Sequence, residues 1–273
     1  MTSFPNQNQR RRYRAVWISD THLGTRSCKA DFLLDFLKSI ETDHLYLVGD
    51  IIDLWKAKSG WYWNDIQNQV LRRVLKMSSL GTKVFYTPGN HDEYFRGFIG
   101  TNFGGIQIID RVEHRMLDGR RFLVFHGDQF DAIVCNYRWL AVVGGHLYDW
   151  LVQLNSGFNW CRKKLGMHYW SLSQYLKLRA KHATKVIGSF ETITSEFGKK
   201  EGYDGVVCGH IHKAEIRDIN GITYCNDGDW VESCTALVEH LDGRLEIIEW
   251  TDRRPEVPVE EPQVEPTQVA SAV

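Results

Sequence analysis

The chain has no uninterrupted apolar stretch near the roughly 18 residues a membrane span needs, which argues against an integral membrane protein. Its N-terminus runs polar and then basic, through Arg10-Arg11-Arg12, with no apolar segment behind it, so no secretory signal is expected. Cysteine is sparse: Cys28, Cys135, Cys161, Cys208, Cys225 and Cys234 form no CxxC pair and no dense framework. They read as plain reduced thiols of a cytoplasmic protein. Proline is almost confined to the ends. Four of six (Pro255, Pro258, Pro262, Pro266) lie in the last nineteen residues, with four Glu and no basic residue. Such a segment cannot bury a core, and 253–273 is expected to be a disordered tail. Pro5 falls in a polar arm, 1–12, expected to be disordered as well. Within the expected domain, 13–252, only Pro88 remains, in the turn-like Thr87-Pro88-Gly89-Asn90-His91-Asp92. An excess of either charge is also missing: 33 Lys and Arg face 34 Asp and Glu, a net charge of −1. That total excludes little, because it can hide a segregated distribution.

What is present is globular composition, 43% hydrophobic and 25% charged. Tyr13 to Ser19, His44 to Val48 and Lys83 to Thr87 read as buried strands. Ala30 to Ile40 and Asp65 to Leu80, with apolar residues three and four apart, read as the helices between them. This alternation predicts a parallel sheet with functional loops at the carboxyl ends of its strands. Arg111 to Met116 and Arg121 to Phe125 suggest a hairpin around Asp118-Gly119. Gly205 to Cys208, Ile222 to Asn226, Thr235 to Val238 and Leu245 to Trp250 read as further strands.

Five polar clusters close predicted strands: Asp20-Thr21-His22, Gly49-Asp50-Ile51-Ile52-Asp53, Gly89-Asn90-His91-Asp92, His126-Gly127-Asp128 and Gly209-His210-Ile211-His212. Each alone reads as readily as a turn. Together they bring carboxylates, an amide oxygen and imidazoles to one edge, a donor set for divalent metals of intermediate hardness. One carboxylate bridging two ions is what two-metal hydrolysis requires.

In this order the clusters resemble those of the calcineurin-like metallophosphoesterase superfamily, matched over roughly 14–250. The resemblance implies an α/β fold, a four-layer αββα sandwich with a helical cap insert at 136–200. It also implies a centre of two divalent metal ions, manganese first, with iron or zinc as alternatives. By motif, Asp20, His22, Asp50 and His212 hold one ion. Asp50 bridges to the other, completed by Asn90, His126 and His210. His91, oriented by Asp92, contacts the phosphoryl oxygen or leaving group.

Within the superfamily the chain is most similar to the UDP-2,3-diacylglucosamine pyrophosphatases of lipid A synthesis. Trp55 after Gly49-Asp50, Phe125-His126-Gly127-Asp128 and Gly228-Asp229-Trp230 carry that resemblance. It makes Trp55, Asp128 and Trp230 substrate-binding candidates. One departure is His91, where the best-known lipid A hydrolases have Arg. The expected reaction is cleavage of a nucleotide-linked glycolipid to UMP and an acylated sugar 1-phosphate. The alternative is a soluble phosphodiesterase or nuclease of the same superfamily. Residues 136–190 hold eight basic side chains, one acid (Asp149) and ten aromatics, so this segment is +7 and the remainder −8. That mixture suits peripheral contact with an anionic membrane, on the cytoplasmic face of the inner membrane. It also suits an ordinary helical pair with a basic outer face, and suits single-stranded nucleic acid less well.

Overall fold

The computed structural model describes residues 10–131 and 188–251, apart from Ser59 and Ser189. The expected tail and most of the arm and cap insert lie outside these residues. Two sheets form the centre. In the first, the strand order is β12 (Leu245–Glu249), β11 (Thr235–Glu239), β1 (Arg11–Ile18), β2 (Ile40–Val48), β3 (Lys83–Thr87), β5 (Ile106–Ile108) and β4 (Asn102–Phe103). In the second it is β6 (Val112–Arg115), β7 (Arg121–Val124), β8 (Gly205–Cys208), β10 (Ile222–Asn226) and β9 (Glu215–Ile219). Strands β1, β2, β3 and β5 run parallel, as do β7, β8 and β10.

Successive strand side chains face opposite ways, and this alternation separates three cores. Ala15, Trp17, Tyr46 and Val48 from the first sheet meet Phe122, Val124, Val207 and Cys225 from the second. The intervening residues of the first sheet, Val16, Ile18, Leu45 and Leu47, turn outward onto α1 (Ala30–Ser39) and α2 (Asp65–Ser79). Those of the second, Leu123, Phe125, Val206 and Cys208, pack with Phe190, Ile193 and Phe197 of the helix over 190–200. The result is the expected αββα order of layers. Helix α2 starts where Asn64 accepts a hydrogen bond from the Gln67 amide at 3.0 Å, a cap worth about 1 kcal/mol.

Boundaries differ in places. β1 begins at Arg11, inside the stretch assigned to the arm, because Arg11 and Arg12 pair with Ile40 and Glu41 at an extended start of β2. Residues 190–200, assigned to the end of the cap, form the fourth layer. Strands β4, β5 and β9 were not expected. β4 and β5 are two and three residues long. β9 does carry a signal, since it joins β10 through Asn220-Gly221, with φ of +56° and +82°, the dipeptide typical of a two-residue hairpin. Among the described residues Cys28, Cys208, Cys225 and Cys234 are free thiols. Burial pushes those of Cys28 and Cys225 up to about 12. No described helix is long and apolar enough to cross a membrane.

Candidate metal centre

Every expected ligand lies just past the carboxyl end of a parallel strand. Asp20 and His22 follow β1, Asp50 follows β2, Asn90 follows β3, His126 follows β7, and His210 and His212 follow β8. The first loop is laid on the second by backbone bonds, Asp20 N–H to the Gly49 carbonyl (3.1 Å) and His22 N–H to the Asp50 carbonyl (2.9 Å). Asp20, His22, Asp50, His210 and His212 all adopt left-handed backbone, with φ of +48°, +47°, +52°, +71° and +54°. Each such residue costs about 1–2 kcal/mol, and strain of this kind concentrates at functional sites. Glycine lets the loops close. A Cβ on Gly49, itself at φ +79°, would lie 2.3 Å from the His126 ring. One on Gly89 would lie 2.3 Å from Asp50 Oδ1.

Three trios have one ligand atom per residue within 4.8 Å of the others: Asp20–His22–His212, His22–Asp50–His91 and Asp50–His126–His210. Asp20 Oδ1 faces His212 Nε2 at 3.1 Å, and Asp50 Oδ2 faces His126 Nε2 at 3.4 Å. The imidazoles are oriented from behind, as metal-binding histidines usually are. His126 Nδ1 donates to the Val48 carbonyl (2.8 Å), His22 Nδ1 to Asp53 (3.2 Å) and His210 Nε2 to Asp131 (2.7 Å).

Burial alone would raise the Asp20 carboxyl, but the imidazoles of His212 and His126 hold it below its ordinary value. Asp50 is likewise held down against burial by His126 and by the His91 amide. Burial would lower His126, yet the Asp50 carboxylate raises it to about 10. His212 is raised against burial by Asp20. Two carboxylates are thus kept ionised in a buried place. Asp20 Oδ1, Asn90 Oδ1 and His126 Nε2 are buried without a hydrogen-bond partner. Each unmet group costs about 1–3 kcal/mol, and together they form an oxygen and nitrogen donor set that fits divalent cations.

The cluster opens on a cleft of about 490 Å³ whose walls include His22, His91, His212 and Asp53 with the cations Arg26 and Lys56. Trp55, 51% exposed, lays its ring 4.0 Å from that of His91. Asp128, two residues past His126, is paired with Arg96 at 2.6 Å.

Two sequence expectations need correction. Asp92 does not orient His91. Its carboxylate accepts from the Ile51 amide (2.7 Å), the Gly89 amide (2.6 Å) and the Tyr86 hydroxyl (2.5 Å), and so fastens the loops beneath the ligands. The carboxylate facing His91 is Asp53, with Oδ2 at 3.0 Å from Nδ1. Trp230 is 0% exposed and packs on Phe36 in the core, out of reach of a substrate. Asp53 belongs to the Gly49-to-Asp53 cluster but has no role among the expected ligands, and Asp131 is unexpected in the site. Asp53 sits three residues past Asp50 in a sequence already rich in acid, whereas nothing local marks Asp131.

A UDP-2,3-diacylglucosamine hydrolase of Neisseria meningitidis serogroup B is 26% identical over 252 residues, covering 84% of this chain and 94% of that protein. The protein of that name from Vibrio atlanticus is 28% identical over 121 residues, 42% of this chain and 47% of its own. A solved archaeal phosphodiesterase aligns over 86% of this chain and 98% of its own, at 13% identity and a TM-score of 0.43. The family model for calcineurin-like phosphoesterases matches residues 13–214. Because that match runs from β1 through His212, the last of the expected ligands, the chain belongs to the calcineurin-like phosphoesterases and is a metal-dependent hydrolase of phosphoesters.

Proposed function

We infer that this enzyme cleaves the diphosphate of a nucleotide-linked glycolipid, UDP-2,3-diacylglucosamine or a close relative, releasing UMP and an acylated sugar 1-phosphate. The observation that carries the reading is the cleft in which Arg26 and Lys56 stand beside the ligand cluster, opposite charges for a diphosphate. The names of the relatives support the glycolipid.

In this reading Asp20, His22 and His212 hold one ion, Asn90, His126 and His210 a second, and Asp50 serves both, with Mn²⁺ as the metal. Two ions held there lower the pKa of a shared water and neutralise phosphoryl oxygens. The protein's own part is to hold charge and geometry. Arg26 and Lys56 bind the diphosphate, and His91, between Asp53 and Trp55, donates to the phosphoryl oxygen or leaving group. One such donor is worth about 2.7–4 kcal/mol. The basic and aromatic composition of residues 136–190 suits the acyl chains and peripheral contact with anionic lipid on the cytoplasmic face of the inner membrane.

The test is a substrate panel with Mn²⁺: UDP-2,3-diacylglucosamine, bis-p-nitrophenyl phosphate and single-stranded DNA. Release of UMP from the glycolipid is expected, and cleavage of DNA alone would overturn the reading. His91, in place of the Arg of the best-known lipid A hydrolases, favours a second reading as a soluble phosphodiesterase. Turnover of the small diester with none of the glycolipid would select it. Sedimentation with anionic but not neutral vesicles, reversed by salt, tests the membrane contact. Cell fractionation tests the location.

A further inference from the structure

On the helix-packed face of the first sheet lies a cavity of about 310 Å³ between the sheet, α2 and the segment 95–106. Ile18, Leu47, Val70, Val74, Ile106 and Ile108 form much of its wall. Its inner end reaches Thr21 and Ile51, which adjoin the ligands Asp20, His22 and Asp50. The size falls in the range of small-molecule sites.

Chemistry narrows the occupant. The lining has three side-chain hydroxyls, and each is already committed: Thr21 donates to the Ile51 carbonyl (2.7 Å), Thr101 to the Phe98 carbonyl (2.7 Å) and Tyr86 to Asp92 (2.5 Å). Among the described residues, no charged side chain lines the wall. A polar ligand would leave its own groups unpaired there, at about 1–3 kcal/mol apiece. The cavity is not sealed. Phe98 and Phe103, both part of its wall, are 55% and 73% exposed, and so form an apolar mouth at the edge of the sheet.

We propose that the cavity binds one unbranched alkyl chain, the tail of a fatty acid, whose carboxylate stays in solvent beyond Phe98 and Phe103. The lining and the mouth carry this proposal, independently of which phosphoester the enzyme cleaves. The full-length protein is titrated with laurate, below the concentration at which it forms micelles, by calorimetry and by methyl NMR. One laurate binds, and the shifted methyl signals are those of Ile18, Leu47, Val70 and Ile106. Val74→Phe and Ile106→Trp, which fill the cavity, each weaken laurate at least tenfold. Both keep the wild-type far-ultraviolet dichroism and turn over bis-p-nitrophenyl phosphate at the wild-type rate. Should either variant fail to fold, the other variant and the methyl map decide. No laurate uptake by the wild type overturns the proposal. So does undiminished binding in a folded variant, or methyl shifts that spare this cavity.

Discussion

Asp53 Oδ2 hydrogen-bonds His22 Nδ1 at 3.2 Å and faces His91 Nδ1 at 3.0 Å without hydrogen-bond geometry. Its other oxygen accepts the Lys56 amide at 3.1 Å, which fixes the carboxylate in place. Groups that orient metal-binding histidines are worth about 10–100-fold in affinity or activity. Asp53→Ala is therefore expected to lower turnover of bis-p-nitrophenyl phosphate by about that factor, with reduced metal content by elemental analysis. Asp50→Ala or His126→Ala is expected to abolish turnover while the circular dichroism stays that of a folded chain; normal activity in either would remove these residues from the centre. The seven expected ligands were legible because each closes a strand as part of a short polar cluster. Asp92 and Trp230 were misassigned because a motif gives adjacency along the chain, while burial decides contact. Trp230 belongs to the packing of α1, and Trp230→Ala is expected to cost about 3–5 kcal/mol in denaturant melts.

Between the elements, one buried polar group joins the sheets away from the metal ligands. His114 of β6 places Nε2 2.8 Å from Glu239 of β11 and Nδ1 2.8 Å from the Tyr46 hydroxyl of β2. Arg14 of β1 donates to the same Glu239 oxygen at 2.6 Å, and the Leu117 amide donates to the other at 2.9 Å. Burial would raise the Glu239 carboxyl, but His114, the Leu117 amide and Arg14 hold it below its ordinary value. A carboxyl lowered by folding stabilises the protein above its unfolded pKa, about 4.3. That contribution is lost as the pH falls through the folded value. The thermal midpoint should thus drop as the pH falls below about 5. Glu239→Gln should lose roughly 3 kcal/mol near neutrality and show a flatter acid limb, and an unchanged limb would refute the assignment. Amphipathic helices and long buried strands were readable from period alone. β4 and β5 were not, because two or three residues are too few for a period of two to stand out, and β9 was not because its residues, Glu-Ile-Arg-Asp-Ile, show no apolar run.

Across the whole molecule, Asp20, Asp50 and Asn90 extend from the first sheet, whereas His126, His210 and His212 extend from the second. In the proposed centre, a divalent ion held by both sets would clamp the sandwich at one edge. Ligand binding to the native state stabilises by about 2.7 kcal/mol at a hundredfold excess over Kd. Stripping metal with a chelator should therefore lower the thermal midpoint by roughly 5–10 °C, and added Mn²⁺ should restore it. The layer order was readable because alternating strands and helices dictate a parallel sheet. How the second sheet packs was not, since that depends on pairing between distant residues such as Phe122 and Gly205. That pairing also governs the stretch between Asp131 and Gly188. The chain leaves β7 and re-enters through the helix over 190–200 into β8, and β7 and β8 are hydrogen-bonded neighbours, with Leu123 opposite Val206 and Val124 opposite Val207. The register of β7 against β8 is thus set within the sheet, by residues on either side of that stretch, so the two strands that carry His126, His210 and His212 keep their places whatever the length of chain between them.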